Sequence, residues 1–197
     1  MKKMFEDTKI GAVLSGTIDV LWAGLLWLFC SLPVVTVGPA SAALYHTMVK
    51  AIRRERGSVG KTFFSAFSAN FRVSFLIWLV YLIVIGPLMF LPQLVLLYVI
   101  PLGLTLPWVF AYVSRFECSV ADAARSVLAL CIRNLVSSLE LAVILAVALV
   151  VGYLAPGLIP LLPGIFCLMM SFIIEPVFKS ISMEKEGDTN EDQWYNE

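Results

Sequence analysis

Charge is what this sequence has least of. Only 14% of its 197 residues are Asp, Glu, Lys or Arg, while 60% are hydrophobic; a water-soluble domain keeps about a quarter of its residues charged. That deficit excludes an ordinary soluble globular protein and makes lipid the solvent of most of the surface. The fourteen basic residues are matched by fourteen acidic ones, so the overall balance points neither to nucleic acid nor to an acidic substrate. The four cysteines, Cys30, Cys118, Cys131 and Cys167, form no Cys-x-x-Cys pair. This excludes a recognisable zinc site or disulfide framework and leaves ordinary packing. A complete Gly-x-x-x-x-Gly-Lys-Ser/Thr phosphate loop, a His-Glu-x-x-His metal motif and a Gly-x-Ser-x-Gly elbow are all missing. No acid falls at the middle of an apolar run, which disfavours proton-driven transport and intramembrane catalysis but leaves a porter of neutral solutes open. The expectation is a protein that is not an enzyme and holds no cofactor or metal.

The residues that are present are arranged in blocks. Residues 20–49, 73–114 and 141–174 contain no Asp, Glu, Lys or Arg. A helix needs about 20 apolar residues to cross a hydrocarbon core of roughly 30 Å, so the second and third blocks each accommodate two crossings. Each block carries a breaker near its middle, Gly86-Pro87 with Pro92 in one and Pro156-Gly157 with Pro160 in the other. Both therefore read as helical hairpins, 75–91 with 94–113 and 137–154 with 158–174. In the first block 18–37 is a full span, and 39–56 is either a short second crossing or a helix lying at the interface.

Charge placement decides between these. Lys2, Lys3 and Lys9 precede the first span, and Lys50, Arg53, Arg54, Arg56, Lys61 and Arg72 follow the short segment. The positive-inside rule puts both flanks in the cytoplasm, which requires an even number of crossings between them. A hairpin turning at Thr36-Val37-Gly38-Pro39 satisfies this. The predicted architecture is an all-α, polytopic membrane bundle of six helices, or five if the short segment is interfacial. It places Arg115, Arg125, Arg133, Lys179 and Lys185 inside, both termini in the cytoplasm, and the charge-free hairpin tips outside. No signal peptide is expected, because the N-terminal segment leads into a full-length span. Residues 1–180 make the transmembrane domain, and 181–197, with Glu184, Glu186, Asp188, Glu191 and Asp192, read as an acidic, disordered cytoplasmic tail.

A weak internal echo runs through the layout. Ser58-Val59, Ser65 and Arg72 recur as Ser119-Val120, Ser126 and Arg133, and Arg54 matches Arg115. Each copy is predicted to be an amphipathic elbow along the cytoplasmic interface, with Phe63, Phe64, Phe67 and Phe71 at helical spacing in the first. Val127, Leu128, Leu130 and Leu135 play that part in the second. The molecule then reads as a chain of hairpins repeated in parallel.

The run LLWLFCSLPVVTVGPASAALYHTMVKAIRRERG from Leu25 to Gly57, followed by TFFSAFSANF from Thr62 to Phe71, resembles the signature of the YesL family, also called DUF624. One departure is Gly24, where the family pattern has asparagine. The resemblance implies a bacterial inner-membrane protein of unknown biochemical activity, often associated with carbohydrate uptake systems, and carries over no catalytic residue.

Chemistry-bearing side chains are few. His46, Lys50 and Arg53 follow one another at turns of a helix and form a basic stripe, facing an anionic ligand or snorkelling to lipid headgroups. Glu140 and Glu175 stand near the inner ends of spans, where pairing with Arg133, Lys179 or basic residues of other helices outweighs proton coupling. Asp19 opens the first span, where a helix N-terminus favours an acid. Phe63, Phe64 and Phe67 join His46, Lys50 and Arg53 as expected contacts for lipid or a partner. The expected function is an accessory membrane component associated with carbohydrate uptake, its partners being membrane lipids and a sugar permease. The alternative is a passive or neutral-solute membrane transporter subunit.

Overall fold

The computed structural model describes residues 9–54, 57–85, 95–116 and 119–185, the side chains at 9–14, 85, 95–100, 102 and 181–185 excepted. Lys2, Lys3, Arg56, Cys118, the tip at Gly86-Pro87 and Pro92, and the acidic tail beyond 185 lie outside the described residues. Those described form helices and turns, with no strand among them. The helices are α1 Lys9–Cys30, α2 Val37–Thr47, α3 Val59–Ile85, α4 Val95–Arg115, α5 Val120–Arg133, α6 Leu135–Leu154 and α7 Leu162–Lys185. Three stretches, Val59–Val84, Leu135–Leu154 and Leu162–Ser180, are long and apolar enough to cross a membrane, and Ser15–Cys30 is a shorter apolar helix.

α1 stops at Cys30, six residues before the turn expected at Thr36-Val37-Gly38-Pro39. Pro33 lacks a backbone N–H and cannot continue the ladder, and the Thr36 hydroxyl sits 2.6 Å from the Cys30 carbonyl and 2.7 Å from that of Pro33, satisfying helix-end acceptors. A single 3₁₀ turn, Val34–Thr36, then leads straight into α2. Gly38 and Pro39 therefore lie in the first turn of a helix, where a missing N–H costs nothing. Among the described glycines only Gly57 has a positive φ, at 92°, so the left-handed freedom of glycine is used there and not at Gly38.

What Gly38 provides is closeness. A Cβ on it would lie 2.5 Å from the Trp78 Cβ and 2.8 Å from the Ser74 carbonyl oxygen of α3, which is the small-residue packing that lets membrane helices touch backbone to backbone. Gly24 of α1 is tighter still, its would-be Cβ overlapping the Pro160 carbonyl oxygen in the turn before α7. No side chain fits at this crossing. Gly164 of α7 packs in the same manner against Val20 and Met48.

α2 is the centre of the bundle. Gly38, Pro39, Ala40, Ala42, Ala43, Leu44, Tyr45 and Thr47 are all buried, enclosed by α1, α3, α4 and α7. The short segment thus lies inside the protein and not along its surface. At Thr47 the hydroxyl donates to the Ala43 carbonyl at 2.7 Å, and from Met48 to Arg53 the helix widens into a π-helical stretch. Such a widening rotates the side chains that follow out of the α-helical register.

The two elbows come out differently. In the first, no breaker separates the phenylalanine segment from the following span, and α3 is one 27-residue helix, about 40 Å long at 1.5 Å per residue. The expectation of a separate interfacial helix fails here for that reason. In the second, Ser119 caps α5 by accepting from the Asp122 N–H at 3.3 Å, and Asn134, at φ −122° and ψ 55°, breaks the chain before α6. Both elbow helices start at the valine of the echo, Val59 and Val120. Beyond α6 a 3₁₀ turn, Pro156–Leu158, makes the hairpin to α7 where the prolines place it. α7 continues to Lys185, five residues into the segment assigned to the tail.

Candidate functional site: a buried ion pair beneath an aromatic cavity

Sequence placed Arg115 and Glu175 at charged helix ends; the structure brings them together inside the bundle. Arg115 ends α4, and its guanidinium donates to the Glu175 carboxylate of α7 at 2.9 Å, with the two side chains only 7% and 8% exposed. The Tyr45 hydroxyl of α2 donates to the other carboxylate oxygen at 3.2 Å. The guanidinium also lies 5.5 Å from the Phe178 ring centroid and 5.8 Å from that of Phe116, so its faces meet aromatic density while its edge meets the acid. Taking two charges out of water is costly, and mutual attraction repays it only where hydrogen bonds satisfy the remaining groups. Tyrosine, carboxylate and guanidinium from three helices make such an arrangement.

The basic stripe is divided. The His46 ring faces α4, with Nδ1 3.2 Å from the Ser114 carbonyl oxygen. Arg53, past the π-helical stretch, instead reaches α7, donating to the Ser171 carbonyl at 2.7 Å and lying 4.6 Å above the Phe172 ring. Lys50 is half-buried between them in the chain. The helix widens after Thr47, between His46 and Arg53, and these two side chains meet different helices, α4 and α7.

The phenylalanines form a ladder down one side of α3. Phe63 and Phe67 stack with centroids 6.3 Å apart, Phe67 and Phe71 meet at 5.4 Å, and Phe71 and Phe75 at 5.7 Å. Phe63 is fully buried in the core and Phe67 half-buried, whereas Phe64 is 54% exposed. Of the three aromatic contacts expected from sequence, Phe64 is the one that presents its ring to the surroundings.

On the Tyr45 side of the ion pair lies a cavity of about 430 Å³, walled by all the long elements except α5. Trp27, Trp78, Phe110 and Phe166 are among its lining side chains, with Tyr45, Cys167 and Met170. Each indole N–H is turned into the protein: Trp27 donates to the Ser41 hydroxyl at 3.1 Å and Trp78 to the Val34 carbonyl at 2.7 Å. A second, apolar groove of about 420 Å³ runs between α3, α4 and α5 beside the Tyr81–Thr105 hydroxyl contact at 2.9 Å. Buried Trp108 donates to Ser138 at 3.0 Å and ties α4 to α6.

Sequence reasoning expected Glu175 to pair with a basic residue, one of another helix among the choices, but did not name Arg115 or Tyr45, and it missed both cavities. One signal was available: Glu175 falls within the apolar stretch Leu162–Ser180, and an acid so placed needs a cation from another helix. Arg115 is the first cation after the charge-free run 73–114.

No curated protein and no solved structure matches the chain. Arg115 and Glu175 lie outside the stretch that a family model covers. That stretch, residues 20–91, holds the Gly24 crossing, the core helix α2, the basic stripe and the phenylalanine ladder, and it matches the model of DUF624, a family described as protein of unknown function.

Proposed function

We propose that this protein is a multi-pass component of the bacterial cell membrane, with six spans and cytoplasmic termini, that acts by lateral association with another membrane protein and has no catalytic turnover. The observation that carries the reading is how the bundle uses its polar side chains. Arg53, Arg115, His46, Tyr45 and Glu175 are each engaged by another helix of the same chain, so three of the groups that sequence offered for chemistry, His46, Arg53 and Glu175, act as internal ties. Association between membrane helices needs close packing and a few polar contacts, not an ionisable group presented to a substrate. One-sided charge is supported by geometry: Arg53 and Arg115 both meet α7 between Ser171 and Glu175, so the basic ends of α2 and α4 lie at one level of the bundle.

A sugar-importing permease is the partner that the family resemblance implies. Phe64, exposed in the second turn of α3, is the side chain for contact. A photo-crosslinking residue at Phe64 should give an adduct with a permease subunit in native membranes, and Phe64→Ala should weaken co-purification while the protein stays folded. Phe63 is unsuitable for this test because its burial makes any truncation a folding mutation. Movement of a sugar across liposomes containing the purified protein alone would overturn the accessory reading.

A further inference from the structure

The cavity above the ion pair has walls that narrow its occupant to one chemical class. Among its lining residues, Ser41 and Tyr45 carry the side-chain hydroxyls. Both already have partners, Ser41 accepting from Trp27 and Tyr45 donating to Glu175. The Trp78 N–H that borders it points at the Val34 carbonyl. A sugar placed there would leave its hydroxyl groups largely without partners, and each unsatisfied hydroxyl in an apolar site is unfavourable. A hydrocarbon chain has no such requirement and gains dispersion contacts from the indole, phenyl and aliphatic walls.

The mouth faces the right solvent. Leu149 and Ile159 belong to the lining and are 67% and 40% exposed. Leu149 stands on α6, one of the helices long and apolar enough to cross a membrane, and Ile159 in the turn that follows it. A chain entering between them comes from among the residues that meet lipid. The volume, about 430 Å³, falls within the range of roughly 300–1,000 Å³ usual for small-ligand sites.

We propose that the bundle takes one acyl chain of a membrane phospholipid into this cavity, through the opening beside Leu149, and holds it between Trp27 and Trp78. This stands independently of the accessory role. Ala148 of α6 lines the cavity, and Ala148→Phe would fill it from the wall. The test is reconstitution of the full chain into vesicles of phosphatidylcholine carrying a 9,10-dibromostearoyl chain, whose bromines quench indoles they touch. Of the five tryptophans, Trp27 and Trp78 should be quenched in the native protein and recover emission in Ala148→Phe. Trp27→Phe should reduce the difference between the two. Native mass spectrometry should in parallel find one phospholipid retained by the native protein and lost from the variant. Folding is checked by a single symmetric size-exclusion peak; if Ala148→Phe fails that check, Ala148→Leu replaces it. Equal quenching and equal lipid retention in native and folded variant proteins would overturn the proposal.

Discussion

Replacing Gly24 by alanine adds one methyl group where the structure has no room for it. The new Cβ would overlap the Pro160 carbonyl oxygen, so α1 and the turn before α7 must part by well over an ångström. Backbone cannot swing aside as a flexible side chain can, and the parting also loosens Val20, which packs against Gly164 on the same pair of elements. Overpacking of this kind costs about 1–3 kcal/mol, and a clash with backbone belongs at the upper end. Alanine favours helix over glycine by up to about 1 kcal/mol, leaving a net loss of about 2 kcal/mol. For a chain of this size that lowers the melting temperature by roughly 4–8 °C. Gly16→Ala is the control, because it lies on the same helix and a Cβ there meets nothing within 4 Å. It gains the same helical preference without the clash and should melt at or above the native temperature. The assay is thermal unfolding in detergent, followed by size-exclusion fluorescence. Equal melting temperatures for the two variants would refute the close crossing.

Glu175→Gln should destabilise by about 3–5 kcal/mol, since it leaves the buried Arg115 guanidinium without its counter-charge. The double variant Arg115→Met with Glu175→Leu should cost much less than the sum of the single changes, measured by the same melts. Gly38→Leu should abolish folded protein in detergent, because even its Cβ would press on Trp78 and Ser74; native-level expression and melting would contradict the packing at that crossing. In a cysteine-free background, cysteine at Pro156 should label from outside the cell and cysteine at Ser58 should not, as the proposed topology requires; the reverse pattern would invert it.

The parts of the fold legible in sequence are those set by local chemistry. Pro156, Gly157 and Pro160 mark the turn between α6 and α7, and Ser119 with Asp122 three residues on marks the start of α5. Spacing along one chain gives height on a helix but not direction around the bundle. Arg115 and Glu175 are sixty residues apart, and only tertiary packing says that their faces meet. The same limit applies to the ladder of α3, where periodicity groups Phe63, Phe67 and Phe71 on one side without saying how much of that side the core covers. For His46 and Arg53 the reason is different: their alignment assumed α-helical rotation through residues that are π-helical, so spacing did not show that one meets α4 and the other α7. Gly24 was unreadable in advance, since what excludes a side chain there is a carbonyl 136 positions later in the chain.

The unbroken α3 makes one mechanical member of what sequence divided into two. A rod of 27 residues, about 40 Å from end to end, turns as a lever: a tilt of about 5° around its midpoint carries each tip through roughly 1.7 Å. Phe64 rides near one tip. Toward the other, Trp78 is fastened to the Val34 carbonyl in the turn between α1 and α2, and its ring borders the cavity. Phe64 and the cavity wall at Trp78 therefore belong to one unbroken helix, with no joint between them.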